Sequence, residues 1–306
     1  MKKWFIHISL LALLMIVASA CRKYAHVKKE TNYAELEYQG HDRSYLVHLP
    51  ENYDSTKQYP LIFVLHGITS RAKAIAGFSG FNEVADKKEF IVCYPQGYKR
   101  SWGIDINVGP APKAGIDDLG FMERLIDTLG VQYSIDTSKV YSCGISNGGF
   151  MTMSMACNRS ERLAGIAIVC GNMFAPTELY YPDDKPMPLL LIAATEDPLL
   201  EYDGEVFKKE YAFLGYPKTI EYWKERNNYP DLKDSVVFES DPKDKTTVVR
   251  HYNSNANNPN KIELYEIKGG GHGWPGRGRD IKALFLGKIS NEIHTAEIIA
   301  DFFLSK

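Results

Sequence analysis

Ser146 is the residue around which chemistry could be built. It lies in Gly144-Ile145-Ser146-Asn147-Gly148, after an apolar run beginning at Val140 and before a Met-rich segment of helical character. Glycine two residues before and two after a serine, between a strand and a helix, is the spacing of a nucleophile on a sharp turn. Any larger side chain at either glycine would collide where strand and helix converge. The turn pushes the hydroxyl out at the carboxyl edge of a sheet, beside a helix N-terminus that favours negative charge. A hydroxyl is a poor nucleophile unless a base removes its proton, and the base needs a third group to hold its tautomer. The rest of the chain has to supply both.

Of eight histidines, His272 has the best context: Gly269-Gly270-Gly271-His272-Gly273-Trp274-Pro275-Gly276 follows the last predicted strand, and its glycines let the backbone close on a neighbouring site. His66 precedes Ser146, the wrong chain order for the base, and His294 falls inside the terminal helix. The acid is expected in Thr195-Glu196-Asp197-Pro198, directly after a buried strand. Pro198 stiffens the exit and favours Asp197 over its neighbour Glu196. Asp117 and Asp118 open a helix before Ser146 and read as capping charges. Two backbone amides must receive the charge of a tetrahedral intermediate. Asn147, just after the nucleophile, offers one, and Gly67 or Ile68, after Leu65-His66, offers the other. His66 is then structural, its ring turned to loop backbone. No His, Cys or Asp cluster has metal-ligand spacing, so neither metal nor cofactor is expected. Cys93, Cys143, Cys157 and Cys170 form no C-x-x-C pair and read as free buried thiols.

Positioning these residues takes a sheet. Strand-like segments at 33–38 and 43–49 suggest an antiparallel opening, with 40–42 as the turn. Buried strands are expected at 59–65, 90–94, 140–145, 165–170, 188–193 and 261–267. Helices are expected at 81–88, 117–129, after the serine turn, at 219–226 and at 291–304, with a polar excursion reaching about residue 260. Uninterrupted apolar strands separated by helices give an α/β fold, a mostly parallel sheet covered on both faces. No domain break or internal repeat is visible.

The first twenty residues read as an address. Lys2-Lys3 precedes an apolar run ending in Ala18-Ser19-Ala20-Cys21, a secretory signal peptide whose small residues before cysteine resemble a lipoprotein processing site. Residues 1–20 are thus expected to be removed, Cys21 to carry the lipid that holds the protein at a membrane, 21–32 to serve as a tether, and 33–306 to form one catalytic domain. A net charge of −2 without a basic stripe argues against nucleic acid as a partner.

Leu65-His66-Gly67, Tyr94-Pro95-Gln96-Gly97, Asp117-Asp118-Leu119-Gly120-Phe121, the Ser146 turn, Asp197-Pro198 and the 269–276 loop occur in this order. Together they resemble the polyhydroxybutyrate depolymerase/feruloyl esterase group of α/β-hydrolases, which includes acetyl xylan esterases. The resemblance implies the α/β-hydrolase fold, ester hydrolysis without cofactor, and the same roles for Ser146, Asp197 and His272. Ile68 and Gly273 depart from the group's commoner residues. Trp102, Tyr202 and Trp274 lie on strand-exit loops, where they either pack the loops or line the cleft and stack on a sugar ring or aromatic acyl group. An exported enzyme without a long apolar lid segment suits feruloyl or acetyl esters of xylan. Alternatives are a polyester hydrolase of the polyhydroxybutyrate depolymerase type, a serine peptidase of the prolyl-oligopeptidase kind, and a surface lipoprotein that only binds glycan.

Overall fold

Leu61 to Leu65 are each without solvent exposure, and apolar runs of this kind bury both faces of a strand. They lie in β3 (Tyr59–Leu65), in a sheet that also contains β1 (Thr31–Tyr38), β2 (His41–His48), β4 (Ile91–Pro95), β5 (Ile135–Ile145) and β6 (Gly165–Val169). The computed structural model describes residues 31–104, 109–175, 185–207, 211–238, 243–255, 257–277 and 286–305. The expected signal peptide, Cys21 and nearly all of the tether lie outside these residues. No described helix is long and apolar enough to cross a membrane.

Two-residue and three-residue strands β7 (Phe174–Ala175), β9 (Glu205–Phe207) and β10 (Tyr211–Phe213) make a separate small sheet in the order β7-β10-β9. The main sheet gains β8 (Leu189–Ala194), β11 (Asp234–Phe238), β12 (Thr247–Tyr252) and β13 (Ile262–Lys268), and its order is β1-β2-β4-β3-β5-β6-β8-β13-β12-β11. From β4 to β13 all neighbours pair parallel, while β1 and β2 at one edge and β12 and β11 at the other are antiparallel. This is the α/β-hydrolase architecture. One face is covered by helices Asp118–Gln132, Asn147–Asn158 and Tyr216–Asn227, whose Phe121, Met153 and Trp223 join a core with Leu61, Phe63 and Ile166. The other is covered by Ala72–Phe78, Phe81–Lys88 and Thr295–Leu304, through Ile75, Phe81 and Ile299 against Ile62, Val64 and Val169.

The expected strands and helices all form, with shifted ends. The opening hairpin turns at Gln39-Gly40, both with positive φ, so His41 already pairs with Tyr38 instead of belonging to the turn. The polar excursion before residue 260 is not loop throughout: it holds β12 and the edge strand β11. Both are short and flanked by polar runs, and Arg250 within β12 is satisfied by Glu263 on β13 at 2.7 and 2.8 Å.

Asp117 caps its helix as expected, accepting the Gly120 N–H at 2.9 Å. Asp118 does something else. It forms a fully buried ion pair with Arg43 of β2, whose guanidinium stacks 3.9 Å from the Phe121 ring centroid, and its second oxygen accepts the Gly103 N–H at 2.5 Å. The pair therefore ties β2, the helix and the loop bearing Trp102 together. Removing one member strands a buried charge, which costs about 3–5 kcal/mol. Asp118→Asn should lose stability on that scale in urea unfolding, and Arg43→Met/Asp118→Leu should recover most of it. A single variant as stable as the parent would deny the pair this role.

Candidate active site

Strand β5 delivers Ser146 at its carboxyl end, and the residue adopts φ 56°, ψ −123°. Non-glycine residues rarely enter this region, at a cost of about 1–3 kcal/mol. Neighbours enforce it: the Ser146 N–H donates to the Val169 carbonyl at 2.9 Å, and its own carbonyl accepts from Phe150 N–H at 2.9 Å. A Cβ on Gly144 would stand 2.3 Å from the Gly148 carbonyl oxygen, and one on Gly148 would stand 2.3 Å from that of Leu65. Both glycines are thus required by close backbone approach. Gly67 backs onto the same turn, where an added Cβ would lie 3.5 Å from that of Ser146. Asn147 opens the following helix, so its N–H has no acceptor within that helix.

The loop after β8 and the loop after β13 meet at the same sheet edge. His272 Nδ1 and Asp197 Oδ2 are 2.7 Å apart, with the carboxylate fully buried. Asp197 Oδ1 accepts the N–H groups of Leu199 and Leu200 at 2.8 and 3.1 Å, which fixes the carboxylate's rotation. Glu196, the competitor in sequence, is exposed. The glycines of the His272 loop serve backbone packing: Gly271 N–H donates to Lys288 O at 2.7 Å and His272 N–H to Leu286 O at 2.5 Å. At Gly271 a Cβ would come 2.1 Å from the Leu286 carbonyl oxygen. At Gly273 one would come 2.7 Å from Ile289 side-chain atoms, so a side chain there would have to displace Ile289.

Cys170 connects these parts and was not singled out by its sequence context. It follows Val169, the acceptor of the Ser146 N–H, and takes φ 45°. Its thiol points at the Gly273 and Gly271 carbonyls, 3.5 and 3.9 Å away, on either side of His272. Among the described residues, Cys170, Asp197 and His272 are one trio close enough to share a metal ion. Burial, then the Asp197 charge, push the thiol's pKa up, and the thiol donates to the two carbonyls. None of the four cysteines of the described residues forms a disulfide, and all four are buried.

The expected aromatic rim is corrected for its two tryptophans. Trp102 has no exposure: its indole N–H donates to the His66 carbonyl at 2.8 Å and its backbone N–H to Asn147 Oδ1 at 2.8 Å. Trp274 is buried against Phe78 and Phe81, with its N–H on the Ser79 carbonyl at 3.2 Å. Tyr202 is half-buried, its ring centroid 5.3 Å from that of Tyr216. An amphipathic ring on a loop reads the same in sequence whether its face meets substrate or core. Here both tryptophans pack in the core, and Tyr202 keeps part of its surface exposed.

Residues 37–187 match the family model described as "Putative esterase". "Putative esterase NocK" of Nocardia uniformis subsp. tsuyamanensis is 25% identical over 288 residues, 90% of this chain and 83% of that one. "Probable feruloyl esterase C" of Aspergillus terreus is 28% identical over 170 residues, 54% of this chain and 58% of that one. This chain thus spans most of the first relative but little more than half of the second. The solved acetyl xylan esterase from Aspergillus awamori superposes with a TM-score of 0.59 at 14% identity, covering 89% of this chain and 98% of that one. The protein is an esterase of the α/β-hydrolase fold.

The esterase holds its Leu65-His66-Gly67 loop through the His66 ring, which is structural as expected. Nε2 accepts the Gly97 N–H at 3.0 Å with the Gln96 amide also 3.0 Å away, so Nδ1 carries the proton and donates to Gly67 O at 2.8 Å. Burial brings its pKa down to about 4 from 6.5, only partly opposed by the Gly67 bond. Above pH 6.5 the ring is neutral folded and unfolded alike. Between 6.5 and about 4 the unfolded esterase takes a proton that the folded one refuses, so stability falls as pH falls, by about 3 kcal/mol in all. Urea unfolding of the esterase and its His66→Gln variant across this range should show their stability difference narrowing by about that much toward pH 4. A constant difference would reject the assignment.

Proposed function

We propose that this esterase is a serine enzyme acting on feruloyl or acetyl esters of xylan-type polysaccharide, with Ser146 as nucleophile, His272 as base and Asp197 as the acid that orients it. The observation that carries the reading is the buried Asp197–His272 hydrogen bond at the sheet edge where Ser146 is held in its strained turn. An imidazole whose Nδ1–H is fixed on a carboxylate presents Nε2 as acceptor. Nε2 takes the Ser146 proton as Oγ attacks the ester carbonyl. The oxyanion is received by the N–H of Asn147 and that of Gly67 or Ile68. Collapse expels the sugar alcohol, which leaves with the proton from His272. Water then repeats the sequence on the acyl-enzyme, and free acid is released.

The substrate class rests on the feruloyl relative and on the acetyl xylan and feruloyl esterase resemblance of the ordered motifs. Ser146→Ala and His272→Ala should each reduce kcat by several decades on p-nitrophenyl acetate while leaving the melting temperature close to the parent's, because the residues act as a unit. In a product assay on acetylated xylan, feruloylated arabinoxylan fragments and polyhydroxybutyrate, acetate or ferulate should be released, and hydroxybutyrate should not. Hydroxybutyrate alone would replace the polysaccharide by a polyester and keep the mechanism. Full turnover by Ser146→Ala would remove the mechanism.

Export followed by lipidation at Cys21 is the proposed route to the membrane, supported by the basic, apolar and small-residue order of the first twenty-one residues. Cys21→Ala should move the esterase from the membrane fraction to the soluble one. If it still sediments with membranes after a salt wash, the lipid is not the anchor.

A further inference from the structure

The two amides assigned above to the oxyanion stand on elements far apart in sequence, one at the start of a helix and one in the loop after β3. Their spacing decides how well they meet a single oxygen, and a shared strand or turn does not fix it. A residue from a third element spans the gap. Trp102 donates its indole N–H to the His66 carbonyl and its backbone N–H to Asn147 Oδ1, both at 2.8 Å. Its ring centroid lies 5.1 Å from that of His66. Gly97 lies against the indole, where a Cβ would come 3.1 Å from the ring. The loop carrying Trp102 is itself clamped at Gly103 by the buried Asp118 carboxylate at 2.5 Å.

The identity of the bonded groups matters. The His66 carbonyl belongs to the same peptide plane as the Gly67 N–H. In a planar trans peptide the two point in opposite directions, so holding the oxygen aims the amide. Asn147 carries the second amide on its own backbone, and its side chain is the other end of the bridge. We propose that Gly67 gives the second amide and that Trp102 is a positioning residue that sets the spacing and angle of the Gly67 and Asn147 amides by joining His66 to Asn147. The inference rests on the serine-esterase reading. It gives Trp102 a part in the reaction without contact to substrate.

Trp102→Phe keeps an aromatic ring at this buried position and removes the indole N–H together with the five-membered ring. Deleting an oxyanion donor outright costs about 100–1,000-fold in kcat, and misaiming one should cost less, about 10–100-fold. The KM for p-nitrophenyl acetate should stay within about twofold, because the amides act on the transition state. Affinity for a phenylboronic acid, which forms a tetrahedral adduct on the serine, should weaken in step with kcat. Asn147→Ala cuts the bridge at its other end while keeping the backbone amide, and should show the same kcat defect. The double variant should then be little worse than either single one, as expected for one shared bridge. A folded Trp102→Phe enzyme with kcat and boronate affinity within about twofold of the parent would overturn the inference, as would defects that multiply in the double variant. If Trp102→Phe does not fold, Asn147→Ala decides alone, and unchanged kcat there rejects the bridge. A parent protein that hydrolyses no ester would instead defeat the proposed function itself, and this is seen before any variant is made.

Discussion

Close backbone approach at the end of β5 is the constraint on which the rest of the structure depends. Strand, helix and the loop after β3 come together so tightly that Gly148 lies against the Leu65 and His66 carbonyls and Gly144 against Gly148. No side chain fits at either point, and the residue between them is forced to a positive φ. The strain at Ser146 is small beside the packing that imposes it, since β5 is buried between β3 and β6 and the helix after it is buried along its whole length save Asn158. A rigid surround of this kind lets one hydroxyl stand out from a sheet edge in a single conformation.

The same edge collects the other groups because parallel strands all end there. Loops after β3, β4, β6, β8 and β13 each contribute, and they are held by different means. The His66 loop is fixed by a neutral buried imidazole and a tryptophan, the Asp197 loop by two amides on one carboxylate, and the His272 loop by glycines against the backbone of residues 286–288. Cys170 and Val169 connect the serine turn to the His272 loop through a backbone hydrogen bond on one side and a thiol on the other. Precision here comes from many local hydrogen bonds in a water-poor setting, where each is stronger and each omission costs more.

Several polar groups that look catalytic by type are scaffolding by environment. His66 sits beside the serine turn, yet its ring nitrogens are spent on Gly97 and Gly67. Asp118 is an acid at a helix start, yet it neutralises Arg43 under the Trp102 loop. Both are buried polar groups whose partners satisfy them, the condition for keeping such groups inside at all.

By itself the sequence determined the order of strands and helices, the serine turn and the glycine requirement around it, and the choice of His272 and Asp197 as the pair to look for. Those features depend on local chemistry: periodicity, the absence of a side chain, a proline after an acid. The proline favoured Asp197 over Glu196, and the tertiary structure buries the one and leaves the other exposed. Strands β11 and β12 were hidden because each is short and lies between polar runs of the chain. The tertiary structure alone decided the fate of the aromatic residues. Trp102 and Trp274 stand on loops that could have lined a cleft, and only the packing of distant elements, His66 with Asn147 in one case and Phe78 with Phe81 in the other, turned them into the core. A ring buries wherever neighbours close over it, and those neighbours are brought by the fold, not by the residues beside it in the chain.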